Sequence, residues 1–487
     1  MALVSTAKPE REALRLTSDI ELMSPPLPPT LERGPPSNRS RAAPRGGEAP
    51  LATDAAPSST ARRDPTILTW LMGTYIVVAV GRIGDFLPWL QEIPLAKVVV
   101  VLAVIFAIRL RGDRALVSWK SVPPARLTIV LMGIATVSIS FSVLRSATFG
   151  VITGTVMAVV ITLILTIMAS RNWPSVKTIL HGCVFASIVL VLTVFGSSFA
   201  GRAGYSNSYD PNDFAFVLVG LLPIVITFAV ISRGAKRLAY FGIACVMIVA
   251  ALLTESRGGL LGLVFEVVAM TFLLPIVRRG QLRFHTSKSK VITRLVLLAL
   301  FGGICWQSLP EAARVRLDTI TELGSDYNAN ISQGGRLAIW TRNLPLALDR
   351  PWGYGAGSFT AVDGLFAGGR YRAPHNTFLQ ALIELGFPGF ALFVAVIFSS
   401  LRYLHVPADH RPESHTGPPD ELRAFARALG IGLIGLCVSG FFLSQLFANV
   451  FWTFVTLSCA VGIVRRMPPD ARGVTPSAGT AARTRSG

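Results

Sequence analysis

A series of long apolar runs constrains this chain more than any other feature. Ile93–Ile108, Val151–Ala169 and Leu238–Leu253 each hold 16 to 19 residues with at most one charge. At about 1.5 Å of rise per helical residue, such runs approach the ~30 Å hydrocarbon core of a bilayer. Charged residues make up 15% of the 487 and apolar residues 51%, whereas a soluble domain usually carries about 25% charged residues. A mean hydropathy of +0.54 is more than soluble cores could hide at this length. A soluble enzyme is excluded. The expected fold is an all-α polytopic membrane protein, because in hydrocarbon a helix satisfies its own backbone polar groups.

About twelve spans are predicted, at 67–81, 93–108, 127–144, 149–169, 178–196, 212–231, 238–254, 258–277, 295–309, 376–401, 427–444 and 447–464. A large loop, 310–374, separates spans 9 and 10. The organisation read from this pattern is a tail over 1–65, a membrane domain over 66–465 and a second tail over 466–487. Residues 1–65 hold 11 of the 31 prolines and no apolar run long enough for a signal-peptide core. That composition buries too little surface to offset chain entropy, so both tails are expected to be disordered and cytoplasmic.

Charge fixes the expected orientation. The chain holds 46 Lys and Arg against 27 Asp and Glu, a net +19. With the N-terminus inside, 34 of the basic residues fall on the cytoplasmic side and 11 outside, seven of the latter in the long loop. This is positive-inside bias, which places both termini in the cytoplasm and requires no nucleic-acid partner. The five cysteines, Cys183, Cys245, Cys305, Cys437 and Cys459, lie in or beside apolar runs with no CxxC and no histidine cluster near them. They indicate neither a disulfide framework nor a metal site.

Polar residues on the expected outer side are scarce, and they cluster. Asp210-Pro211-Asn212-Asp213 opens span 6 after Arg202, where Asp210 or Asn212 could simply be an N-cap. Glu255-Ser256-Arg257-Gly258-Gly259 joins spans 7 and 8, and Arg257 reads either as a snorkelling interfacial arginine or as an anion contact. In the long loop, Gly335–Leu348 carries Leu337, Trp340, Leu344 and Leu348 at helical spacing. That predicts an amphipathic helix on the bilayer surface, kinked at Pro345, with Arg336 in its first turn and Arg342 on its polar side. A glycine-rich turn, Arg350–Phe359, follows. His375, before span 10, is the one histidine expected outside. It reads either as a polar boundary residue or as a proton acceptor. Its neighbours Arg257, Arg336, Arg370 and Arg372 favour an anionic ligand, since guanidinium groups hold phosphate bidentately and keep their charge.

In order and placement, E-S-R-G-G, G-R-L-A-I-W, R-P-W-G-Y-G-A-G-S-F, H-N-T-F-L-Q-A-L-I-E-L-G-F-P-G and D-P-N-D-F-A resemble the bacterial O-antigen ligase and O-antigen polymerase superfamily over roughly residues 125–465. The resemblance implies a membrane-embedded C-type glycosyltransferase bundle in the inner membrane. Such an enzyme takes a glycan from undecaprenyl diphosphate at the periplasmic face and passes it to a glycan or lipid-core hydroxyl. It implies no metal or other cofactor, and a flippase and a chain-length regulator as partners. By position, Arg257 and Arg336 match the family's diphosphate-holding arginines and His375 its base, with Arg202, Arg370 and Arg372 as further substrate contacts. No residue separates polymerase from ligase, and polymerase of a cell-surface polysaccharide is taken as the working reading. The competing class is a flippase or transporter, which twelve spans would also suit. Glu266 is the main intramembrane charge, with Lys97 as its candidate partner. The halves show no sequence echo, however, and the polar residues gather at one end.

Overall fold

The apolar runs fold into helices in a computed structural model that describes residues 66–109, 117–198, 209–278, 281–283, 288–308, 311, 314, 335–405, 420–467 and 472. The helices are α1 (Ile67–Ala79), α2 (Leu95–Arg109), α3 (Pro123–Val137), α4 (Arg145–Ala169), α5 (Trp173–Ser198), α6 (Pro211–Ile231), α7 (Gly234–Leu253), α8 (Arg257–Leu273) and α9 (Lys288–Ser308). They continue with α10 (Arg336–Asn343), α11 (Leu346–Asp349), α12 (Phe359–Leu365), α13 (Thr377–Leu404), α14 (Asp420–Gly440) and α15 (Asn449–Arg466). Seven are long and apolar enough to cross a bilayer: α3 (counted to Ser140), α4, α5, α6, α7, α13 and α14. The protein is therefore a polytopic helical membrane protein. The remaining predicted spans also fall on helices, but α1 has only 13 residues, about 20 Å at helical rise. The predicted span 258–277 ends early, at Leu273, and an antiparallel hairpin, β1 (Ile276–Arg278) with β2 (Gln281–Arg283), takes the place of its last residues and of the loop after it. Residues 1–65, most of 466–487 and Arg202 lie outside the described residues.

A helix apolar around its whole circumference belongs at the centre of a bundle. Accordingly α6 is buried almost throughout, packed by α5, α7, α8 and α14. The last helix, α15, is buried from Val450 to Arg465 against α3, α4, α5, α13 and α14. Small residues let these backbones approach, as in lipid, where no hydrophobic drive separates helix from tail. A Cβ on Gly182 of α5 would stand 2.5 Å from the Gly73 carbonyl of α1, and one on Gly432 of α14 would stand 2.7 Å from the Gly220 carbonyl of α6.

Sequence periodicity reads residues 376–401 as one span. The structure breaks that span at Gly386, whose φ of 67° and ψ of −173° are not helical, two residues before Pro388. The break has a structural use. Pro388 has no N–H for the Glu384 carbonyl, and the Phe387 N–H turns aside to the Pro351 carbonyl at 2.8 Å. The carbonyls of Ile383 and Glu384, released from the helix, accept instead from the Tyr354 and Gly355 N–H groups, both at 2.9 Å. The glycine-rich turn is thus sewn into the gap in α13. Glycine is required on both sides: a Cβ on Gly353 would meet the Glu384 carbonyl at 2.5 Å, and one on Gly386 would meet the Pro351 carbonyl at 2.2 Å.

Candidate functional site

The segment that carries His375 is held from four directions. Asn376 caps α13, its Oδ1 accepting from the Phe378 and Leu379 N–H groups at 2.9 and 3.0 Å. The Trp340 indole N–H of α10 donates to the Pro374 carbonyl at 2.8 Å. The His375 N–H itself donates to Ser444 Oγ at 2.9 Å, and the Thr377 hydroxyl donates to the Leu443 carbonyl at 2.7 Å. So constrained, His375 takes a left-handed φ of 45°, a conformation that costs a non-glycine residue about 1–3 kcal/mol and is held only where surroundings dictate it. Glu255, two residues before Arg257, is also left-handed, with φ of 55°.

The His375 imidazole is half-buried, and its electrostatic surroundings are unusual. Burial first, then the positive charges of Arg336 and Arg372, hold its pKa below the ordinary histidine value of 6.5, while Asp210 acts in the opposite sense. A neutral imidazole that is free to accept a proton at neutral pH follows from that setting.

Of the sequence-chosen arginines, Arg336 and Arg372 are therefore brought into the electrostatic field of His375. Arg336 stands at the first position of α10, behind Gly335 as N-cap. The Arg372 backbone N–H donates to Asp363 Oδ2 at 3.0 Å. Arg257 opens α8 behind Ser256, whose Oγ caps the helix by accepting from the Gly259 N–H at 3.2 Å. The glycines beside it are not a turn but helical residues that admit close neighbours. A Cβ on Gly258 would lie 3.1 Å from that of Phe442, and one on Gly259 would lie 2.4 Å from that of Ala215. The α8 start is thereby packed against the 439–444 segment that also binds His375. Arg370 is exposed.

Several parts of this end were not legible in the sequence. Ser444 and Gln445 lie in the 441–448 connection, which reads only as a gap between two spans. Gln445 donates through Nε2 to Asp213, and its N–H donates to the Thr377 hydroxyl. Asp210 and Asp213 form a reciprocal capping box on α6, so of the two N-cap candidates Asp210 is the cap, and its charge also acts on His375. Arg342 is not a free polar-face residue. It pairs with the fully buried Asp363 at 2.7 Å, and Asn343 and the Arg372 N–H complete that carboxylate's partners. Burial pushes Asp363 up, but these donors outweigh it and hold the carboxyl below its usual range. Glu384, buried in α13, accepts from the Gly357 N–H at 2.6 Å and the Phe359 N–H at 3.3 Å, fixing the glycine turn a second time. A π-helical turn in α4, Ile152–Val156, lies alongside, with Thr155 donating to the Phe447 carbonyl.

Leu337, Leu344 and Leu348 are exposed, and the face of α10 and α11 that packs on the protein is Ile339, Asn343 and Ala347, beside Tyr354, Phe359 and Ile383. The kink at Pro345 is present, as the break between α10 and α11. Lys97 is exposed and is not the partner of Glu266, whose buried carboxylate oxygens have no hydrogen-bond partner among the described residues. Among those residues no cluster of three or more His, Cys, Asp or Glu could hold a metal ion, and Cys183, Cys245, Cys437 and Cys459 are free thiols.

A multi-helix membrane protein with a constrained histidine and several arginines gathered at one end of its bundle is the class defined so far. Residues 242–394 match the family model described as O-antigen ligase, a similarity that supports a place in the O-antigen ligase and polymerase superfamily. The match contains Arg257, Arg336, Arg370, Arg372 and His375, whereas Asp210 and Ser444 lie beyond its ends. No curated protein matches the chain. The domain supports glycosyltransferase activity of the ligase and polymerase type, in polysaccharide assembly at a membrane.

Proposed function

We propose that this protein moves a glycan from undecaprenyl diphosphate to a hydroxyl acceptor at the periplasmic face of the inner membrane. The observation that carries the reading is His375, held left-handed by Ser444, Asn376 and Trp340 within the field of Arg336 and Arg372. In this reading residues 66–465 cross the membrane twelve times, 310–374 is the periplasmic loop and both termini are cytoplasmic. The working product is a lengthened cell-surface polysaccharide, made with a flippase and a chain-length regulator as partners.

The chemistry is a single displacement. The acceptor oxygen attacks the anomeric carbon as the bond from that carbon to the diphosphate oxygen breaks, and the electron pair leaves with undecaprenyl diphosphate. The acceptor proton passes to the neutral His375 imidazole, and the anomeric configuration inverts. Arg257 and Arg336 hold the diphosphate and stabilise the charge that grows on it, with Arg202, Arg370 and Arg372 as weaker contacts to phosphate or glycan. Neither step asks for a metal.

A deletion strain tests the class and the product together. Single repeats left on the carrier or lipid core at the periplasmic side indicate a lost polymerase. Full-length polymer left on the carrier indicates a lost ligase. Lipid-linked units trapped at the cytoplasmic side would mean a flippase and would overturn the proposal.

A further inference from the structure

A cavity lies at the other end of α6 from Asp210. It encloses about 630 Å³ between the lower halves of α6, α7, α8 and α9, walled by Leu222, Ile226, Phe241, Met270 and Leu297, a volume inside the ~300–1,000 Å³ range of ligand pockets. Two arginines, Arg237 and Arg294, line it, and none of its lining residues is acidic. Arg237 stands in the first turn of α7 and Ile248 lies eleven residues further along it. That spacing is about 16 Å of helix, close to half of the ~30 Å hydrocarbon core. The cavity therefore has the depth of one leaflet, apolar walls along that depth and positive charge where headgroups sit. Arg294 is anchored by one hydrogen bond from Nη1 to the Thr271 carbonyl at 2.7 Å, and the Arg237 guanidinium lies over the Phe241 ring at 5.6 Å. Both groups are positioned without an acid partner among the described residues. Arg233 and Lys236 add charge on the preceding turn.

We infer that this cavity is a binding site for one anionic phospholipid, with an acyl chain between the helices and its phosphate held by Arg237 and Arg294. Charge complementarity selects the occupant: two guanidinium groups, Arg237 exposed at the rim and Arg294 half-buried, favour a phosphate carrying net negative charge over a zwitterionic headgroup. The inference rests on the membrane reading alone and not on the glycosyltransferase reading, since the cavity shares no residue with the His375 end.

The test is native mass spectrometry of the full-length protein titrated with phosphatidylglycerol or phosphatidylcholine of identical acyl chains. We expect phosphatidylglycerol to bind more tightly, and Arg237→Gln, an exposed change that leaves the packing alone, to weaken it about fivefold. Combining it with Arg294→Gln should weaken binding roughly 25-fold, with phosphatidylcholine unaffected. Val267→Trp, which fills the acyl-chain space, should remove phosphatidylglycerol binding although both arginines remain. Equal binding of the two lipids, or full phosphatidylglycerol binding by the Arg237→Gln protein, would overturn the inference.

Discussion

His375 has a backbone that few residues adopt and an imidazole whose charged form is disfavoured. Burial, Arg336 and Arg372 all act against the imidazolium, and only Asp210 favours it. As a general base it works when neutral, so kcat/KM should fall as pH drops through the free-enzyme pKa. Because that pKa is lowered, we expect the midpoint of the acid limb below 6.5. Asp210→Asn keeps a good helix N-cap but removes the one favourable charge, and should move the limb lower still. A pH profile of transfer in proteoliposomes checks both, and an acid limb at or above pH 7 would contradict the assignment. Arg257→Lys keeps charge but loses the planar fork, and should lose on the order of tenfold in transfer at equal membrane abundance. Asp363 gives a prediction about stability rather than chemistry. It is a fully buried acceptor for Arg342, Asn343 and the Arg372 N–H. Removing the acid leaves the buried Asn343 amide and the half-buried Arg342 guanidinium without this acceptor, at about 1–3 kcal/mol. Asp363→Ala should lower the melting temperature and expose residues 336–372 to protease. Its folded pKa lies below the unfolded one, so the wild-type contribution is present above about pH 4 and lost as pH falls further.

At the scale of elements, the glycine-rich turn and the break in α13 form one device. Neither half explains itself alone: an unbroken α13 would spend the Phe387 N–H on the Ile383 carbonyl, and the turn would then lose the acceptor for Tyr354. Gly386→Ala forces a Cβ against the Pro351 carbonyl at a left-handed φ of 67°. It should destabilise the protein by about 1–3 kcal/mol or more. Gly353→Ala attacks the same contact from the other side, so the double variant should cost clearly less than the sum of the two. Thermal melting of the four proteins in one detergent reads the coupling directly, and simple additivity would dissolve the link. The two motifs were visible in the sequence as separate runs. Their joining was not, because it depends on a proline removing one N–H and a glycine turning one residue, effects that hydropathy does not register.

At the scale of the molecule, apolar periodicity located the helices well, since burial in lipid and burial in a bundle both demand apolar side chains. It was weaker on what lies between them. The 441–448 connection supplies Ser444 and Gln445 to the candidate site, and nothing in its composition marks it as more than a link. Arg342 was placed on a polar face because it sits opposite leucines, whereas Asp363, twenty-one residues on, claims it. The topology carries its own expectation. Reporter fusions in the 320–370 region should read as periplasmic, and those at both termini as cytoplasmic, as the 34 to 11 division of basic residues requires.

The most direct measurement is glycan transfer by purified protein in proteoliposomes, with a lipid-linked donor and a hydroxyl acceptor, comparing wild type, His375→Ala and Arg126→Ala. Arg126 is an exposed residue of α3 outside the candidate site and serves as the control. His375→Ala should insert and melt like wild type and still bind the donor, yet lose 10²–10⁴-fold in rate, while Arg126→Ala should stay near wild type. Near-normal transfer by His375→Ala at equal abundance would contradict the general-base assignment and reduce His375 to a polar residue at the mouth of α13.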